Sequence, residues 1–357
     1  MKVLRIFSAS GISLRRSSRR SLSHILLLPL LVSGLYNSSA QAQNAVVLVG
    51  SGSSVPGPLY NRWTQDYGKR NPKIQMRYVP IGTSEGIKEI SRGASDFGAG
   101  ESQLTEKEKK EGGLIELPVV LIGIVPVYNL PDIQGLRLSG EVLAGIFLGD
   151  VKMWNAPQIA KLNPNIALPN LPIRVVNRPA GKGSNYVFTE FLSKASSRFR
   201  SQIGITPSPK WPVGEPAERS SDMADKVKNN PGSIGYVEYK YAVKGEISQA
   251  AVENPSGKFV KASIETIAAA CQSAEAPRWN NFSASLTNVP GADAFPITSF
   301  TWIYLRSPSA GSGRASALSD FLDWIYTDGQ KSAVQEGYSA LPPELLAAVM
   351  KKVKALQ

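Results

Sequence analysis

Three times in this sequence a short apolar run gives way to a loop of glycine and hydroxyl residues and then to a helical pattern. The run at 45–49 leads into Gly50, Ser51, Gly52, Ser53 and Ser54, and beyond Pro56 and Pro58 the spacing of Leu59, Tyr60 and Trp63 predicts a helix. The run at 74–78 leads into a loop over 81–86 with Gly82, Thr83, Ser84 and Gly86, then a helix over 87–93. The run at 173–176 leads into Arg178, Gly181, Lys182, Gly183 and Ser184, then a helix over 186–192. Strands alternating with helices at this spacing, with further strands predicted at 96–99 and 231–237, imply an α/β fold built on a parallel or mixed sheet. A helix N-terminus carries free N–H donors and a partial positive charge, and small side chains let an oxyanion approach. A single Gly/Ser turn commonly only connects two elements. Three converging on one cleft would make a tetrahedral-anion site, for which Arg178 could supply a bidentate, permanently charged partner.

The chain of 357 residues is long enough for two compact domains. At 42% hydrophobic and 19% charged residues, with 31 Gly and 25 Pro spread along the length, a disordered or collagen-like chain is excluded. Residues 1–42 read as a signal peptide: basic residues up to Arg20, an apolar stretch from His24 to Val32, then the small-x-small signal Ala40, Gln41, Ala42. That stretch is about half of the ~20 residues a bilayer span requires. Nothing later in the chain is long and apolar enough to span a bilayer, so an exported protein without a membrane span is expected. The pair Arg19 and Arg20 also fits a twin-arginine signal, and an Arg/Ser-rich, acid-free leader also suits delivery to an organellar lumen by a transit peptide.

Six of the 40 basic residues and none of the 28 acidic ones lie in the leader, which reduces the formal charge from +12 to +6 for the remainder. With Lys and Arg scattered among acids, as over 105–111, and no basic stripe, nucleic acid is not an expected partner. The only His is His24, within the leader, and the only Cys is Cys271, in an apolar run. A Cys/His zinc site and a His-dependent triad are excluded by count, so neither metal nor cofactor is expected. Cys271 reads as a small buried core residue.

The apolar run 117–128, containing Gly123 and Pro126, reads as a crossover between two domains rather than one uninterrupted strand, and therefore as a hinge. The run 295–305 mirrors it and returns the chain to the first domain. The tail 315–357 reads as helical, with Phe321, Leu322, Trp324, Ile325 and Tyr326 at apolar positions. The expected lobes are 43–122 with 298–357, and 123–297.

At these residues the sequence resembles the periplasmic phosphate-binding proteins of phosphate ABC transporters. The matching segments are 50–58 (Gly-Ser-Gly-Ser-Ser-Val-Pro-Gly-Pro) with Trp63, 81–84, 96–99, 148–155, 159–164, 187–189, 234–239 (Ile-Gly-Tyr-Val-Glu-Tyr) and 295–298. Together they cover essentially the whole chain after the leader. The resemblance implies a two-lobed periplasmic-binding-protein fold of type II-like form, closing on the anion about two crossover strands that act as a hinge. It implies a monomer that binds inorganic phosphate and passes it to the membrane permease of an ABC transporter. Carried across by position, the family's contacts fall on Ser54 (hydroxyl), Val55 (backbone N–H), Thr83, Arg178, Gly183 and Ser184. The family's carboxylate, which accepts a hydrogen bond from a protonated phosphate oxygen, falls on Glu101 in place of Asp. Lys182 stands where the family has serine, and Ala180 where an acid steadies the arginine. Either Glu101 and Lys182 are compensating changes around the same phosphate, or the site takes another oxyanion or a phosphorylated small molecule.

The run Gly82, Thr83, Ser84, Glu85, Gly86 also matches the G-x-S-x-G nucleophile elbow. With no His after residue 42 to serve as base, an enzyme, at most a weak phosphatase, is the minor alternative. The segment 180–184 fails as a phosphate-binding P-loop, because Gly183 rather than Ser or Thr follows Lys182.

Overall fold

The computed structural model describes residues 45–274, 282, 284–306 and 313–356; the expected signal peptide lies outside them. In chain order the first part runs β1 (Val46–Gly52), α1 (Gly57–Arg70), β2 (Ile74–Pro80), α2 (Thr83–Ser91), β3 (Phe97–Gly100), α3 (Glu106–Lys110) and β4 (Leu114–Tyr128). There follow β5 (Arg137–Leu138), α4 (Gly140–Leu148), α5 (Pro157–Leu162), β6 (Arg174–Asn177), α6 (Gly183–Ala195), α7 (Ser197–Gln202), β7 (Glu215–Pro216), α8 (Ser220–Asn229), β8 (Ser233–Glu238) and α9 (Tyr239–Lys244). The last part is β9 (Ser248–Gln249), β10 (Ala251–Glu253), β11 (Phe259–Val260), α10 (Ile264–Gln272), β12 (Thr298–Arg306), α11 (Gly313–Trp324), α12 (Gln330–Gln335) and α13 (Pro343–Lys354).

One mixed sheet orders its strands β2-β1-β3-β12-β4-β8-β6-β7, with β9 also on β4; β11-β10-β5 form a small second sheet. The β1 pairings to β2 and β3 and the β8-β6-β7 pairings are parallel, whereas β12 runs antiparallel to both β3 and β4. Parallel strands need crossover helices, which is why α1, α2, α6 and α8 sit between them in sequence.

The segment expected to be broken at Gly123 and Pro126 is one strand of 15 residues. Its partner changes there instead: Leu114 to Gly123 pair with β12, and Ile124 to Tyr128 pair with β8. Gly123 serves packing, since a Cβ on it would lie 2.8 Å from Ile267 Cδ1 of α10. The ladder slips between Thr301 and Trp302, opposite Pro118 and Val120, which places a bulge where a proline lacks its donor.

Three other expectations shift. Gly50 to Gly52 belong to β1, in register with Phe97 to Ala99 of β3, so the first loop is only the short stretch before α1. Thr83 and Gly183 stand inside the first turns of α2 and α6, so the helices begin earlier than apolar spacing alone indicates. The tail is interrupted by a π-helical turn at Ile325–Gly329, whose Gly329 carbonyl accepts from Trp63 Nε1 at 3.0 Å, and by a non-helical stretch where Ser339 bridges Leu121.

Burial of aromatic side chains ties helices to each half of the sheet. Tyr60 of α1 stacks on Tyr78 of β2 at 4.7 Å and meets Phe97 of β3 at 5.4 Å. Beyond β4, Phe188 of α6 stacks on Tyr236 of β8 at 4.2 Å, with Phe147 and Trp211 against the same ring. Cys271 is fully buried, and burial pushes its thiol up to about 12, as befits a core residue. The lysine-rich α3 opens on a Thr105/Glu108 capping box and buries none of its residues, a solvated helix.

Candidate anion-binding site

β6 ends at Asn177, and Arg178 is the first residue past its carboxyl end, where open α/β sheets place their ligands. Its side chain is 1% exposed. Nη1 donates to Ser220 Oγ at 2.7 Å and reaches Ser184 Oγ at 3.4 Å, and Nη2 donates to the Glu218 carbonyl at 2.9 Å. Nε has no partner, and among the described residues no carboxylate lies within ion-pair range of the guanidinium. The main chain is held as firmly: Arg178 N–H donates to the Tyr236 hydroxyl at 3.2 Å, and its carbonyl accepts from Trp211 Nε1 at 3.2 Å. A buried guanidinium surrounded by neutral oxygens carries a large desolvation cost that a bound anion would offset.

Glu101 follows β3 directly and is also 1% exposed. Thr83 Oγ1 donates to its Oε2 at 3.0 Å, while Oε1 has no partner. Burial pushes its carboxyl up to about 8; the Ser53 and Thr83 hydroxyls pull it down, Glu238 raises it further, and Arg178 lowers it.

The α6 N-terminus comes in from the β6 side to meet these groups. A Cβ on Gly183 would lie 1.5 Å from Glu101 Oε2 and 2.6 Å from Thr83 Oγ1. Only glycine lets the first turn of α6, with its unsatisfied N–H groups, come this close to the carboxylate. The α2 N-terminus meets the same loop, Ser84 N–H facing the Gly181 carbonyl at 3.5 Å.

Thr83, Glu101, Arg178, Gly183 and Ser184 are thus brought together. Ser54 lines an adjoining cleft of about 170 Å³, shared with Pro58 and Asn61 on one side and Arg219, Ser220 and Tyr241 on the other. Val55 is buried, and its N–H donates to Ser53 Oγ at 3.1 Å, so this donor is already engaged. Lys182 turns away from Glu101: its Nζ pairs with Glu218 Oε2 at 3.2 Å, and that glutamate is largely exposed. Among the described residues Lys182 and Glu101 form no ion pair.

Sequence reasoning missed Ser220, Glu238 and Tyr236. Ser220 Oγ, which receives the guanidinium, donates to Glu238 Oε1 at 2.9 Å, and Glu238 is 2% exposed. A signal existed: in a strand of alternating face, Tyr236 and Glu238 point the same way, and a glutamate in an otherwise apolar run needs a reason.

A buried cation and a buried carboxylate at the carboxyl ends of the strands, met by helix N-termini from both halves of a sheet that share β4, define a two-lobed solute-binding clamp. A family model described as a PBP superfamily domain matches residues 38–329. The phosphate-binding protein PstS of Xylella fastidiosa (strain 9a5c) is 35% identical over 313 residues, 87% of this chain and 86% of its own. PstS of Pasteurella multocida (strain Pm70) is 35% identical over 327 residues, 91% and 95% of the two chains. The chain belongs to this PstS family within the PBP superfamily. Among solved structures, an ABC-type phosphate transport receptor from Vibrio cholerae superposes with a TM-score of 0.57 at 17% identity, over 83% of this chain and 100% of that one. A high-affinity periplasmic phosphate-binding protein bound with phosphate superposes with a TM-score of 0.69 at 17% identity, over 86% and 93%. At such identities the superpositions speak for the fold alone.

Proposed function

We propose that this protein captures inorganic phosphate in the cleft around Arg178 and hands it to the permease of an ABC transporter. The observation that carries the reading is the buried Arg178 guanidinium, which has hydroxyl and carbonyl neighbours but, among the described residues, no carboxylate in ion-pair range. The family relatives are named for phosphate, and the surrounding groups suit that ion. Arg178 neutralises charge; Thr83, Ser184, Ser54 and the first-turn N–H groups at Gly183 donate to oxygens; Val55 borders the site. Glu101 accepts from a protonated oxygen or, when itself protonated, donates to a bare one. Lys182, paired with Glu218, serves at the rim.

In this reading the segments 43–122 with 298–357 and 123–297 are two lobes that open about β4 and β12. Residues 1–42 direct export to the periplasm, and the protein acts as a monomeric carrier rather than a catalyst. Among the described residues no helix is long and apolar enough to cross a membrane.

Calorimetry with phosphate, sulfate, a phosphonate and a sugar phosphate tests this directly. Phosphate is expected to bind most tightly, and Arg178→Ala to weaken it by about 2–5 kcal/mol, as when the partner of a buried charge is removed. Undiminished phosphate affinity in that variant refutes the site, and tighter binding of a sugar phosphate redirects the ligand assignment. Turnover of a phosphomonoester that is lost in Ser84→Ala would make the protein an enzyme.

A further inference from the structure

Ala180 stands where the resemblance implies an acid that would steady Arg178, and an alanine side chain cannot do so. Yet the guanidinium is fixed at Nη1 by Ser220, the first residue of α8. A serine hydroxyl that accepts from a cation is free to rotate unless its own proton is directed. Here it is: Ser220 Oγ donates to Glu238 Oε1 at 2.9 Å, an oxygen of a carboxylate buried at the end of β8. Two residues earlier on the same face of β8, the Tyr236 hydroxyl accepts the Arg178 N–H, and the Tyr236 ring is clamped by Phe188. One strand therefore holds the arginine at both ends, through its main chain and through its side chain.

We propose that Glu238, acting through the Ser220 hydroxyl, is the positioning residue for Arg178 and replaces the acid missing at Ala180. Orienting the hydroxyl proton toward Glu238 turns the Ser220 lone pairs toward Nη1, and such chains of hydrogen bonds strengthen one another at low dielectric. The remaining guanidinium donors, Nε among them, are then aimed rather than spent on an ion pair. Among the described residues the second carboxylate oxygen, Oε2, has no partner, so the one hydrogen bond the carboxylate makes with them is that to Ser220.

The sign of the effect separates this role from simple proximity. A carboxylate that merely sits near the site repels an anion, and removing it tightens binding. A positioning carboxylate has the opposite signature, because its removal lets the guanidinium drift. The inference rests on Arg178 being the anion contact, so Arg178→Ala is measured alongside.

Phosphate titrations by calorimetry on Glu238→Met, Glu238→Gln, Ser220→Ala and the Ser220→Ala/Glu238→Met double variant provide the test. Glu238→Met, which keeps volume but loses charge and acceptor, is expected to weaken binding about tenfold, the effect of one hydrogen bond to a charged group. Glu238→Gln restores an acceptor for the Ser220 proton and should recover most of that loss. Ser220→Ala should cost about the same as Glu238→Met, and the double variant no more than the worse single one, because both break the same chain. Unchanged or tighter binding in Glu238→Met, or losses that multiply in the double variant, overturn the proposal. Should Glu238→Met fail to fold, Ser220→Ala decides alone, and unaltered affinity there refutes the relay. If Arg178→Ala itself leaves binding intact, the site assignment falls; if it abolishes binding while Ser220→Ala is neutral, only the relay does.

Discussion

Replacing Glu101 with Gln should change how the ligand-free protein's stability depends on pH. The carboxyl is 1% exposed, accepts one hydrogen bond from Thr83, and is pushed by burial from 4.5 up to about 8. Between those values the folded state holds a proton that the unfolded state has released, so stability falls as pH rises. At about 1.4 kcal/mol per pH unit, the loss is on the order of 5 kcal/mol by pH 8, and local relaxation would lower it. Glu116, also raised by burial though opposed by Lys109 and the Leu104 N–H, slopes the same way. The contribution of Glu101 is therefore the difference between wild type and Glu101→Gln, read from urea unfolding at half-unit steps between pH 5 and pH 9. Wild type should lose stability up to about pH 8 and level off above it, while Glu101→Gln keeps only the shallower slope that Glu116 leaves. Parallel slopes in the two proteins would show that the carboxylate ionises without penalty and that the cleft is wetter than its burial implies.

A methyl group at Gly183 would collide with Glu101 Oε2, so Gly183→Ala should weaken phosphate binding at least tenfold and lower stability by about 1–3 kcal/mol, measured by calorimetry and denaturation. Because Lys182 pairs with an exposed glutamate rather than with Glu101, Lys182→Ala should alter the phosphate Kd by less than about fivefold, within the range of surface ion pairs. A larger loss would place the ammonium on the ligand. Cys271, buried with its thiol pushed up to about 12, should resist aromatic disulfide reagents until the protein is unfolded.

Much of this fold is legible in the chain because the relevant physics is local. The apolar runs of β1, β2 and β6, the glycine and hydroxyl residues after them and the helical spacing beyond follow from periodicity and backbone sterics within about 20 residues. The absence of histidine past residue 42 excludes His-dependent catalysis from the sequence alone. Apolar spacing starts α2 and α6 too late, because Thr83 and Gly183 enter their first turns for hydrogen bonding and close approach rather than for apolar burial. Gly123 and Pro126 suggested an interruption, yet β4 continues through both, since glycine admits Ile267 and strand pairing on either side outweighs their low strand propensity.

The amino-acid order sets the repertoire: an arginine, hydroxyls, helix N-termini and a carboxylate at glutamate length. Tertiary structure alone decided who meets whom. Glu218 and Lys182 are 36 residues apart and Ser220 and Glu238 are 18 apart, separations at which nothing local fixes partnership. Their pairing depends on β8 lying beside β6, so that Tyr236 and Glu238 arrive at Arg178 from one strand face while Lys182 reaches Glu218. Side-chain chemistry is written residue by residue, but burial, and with it the energy of a charge, is a property of everything packed around it.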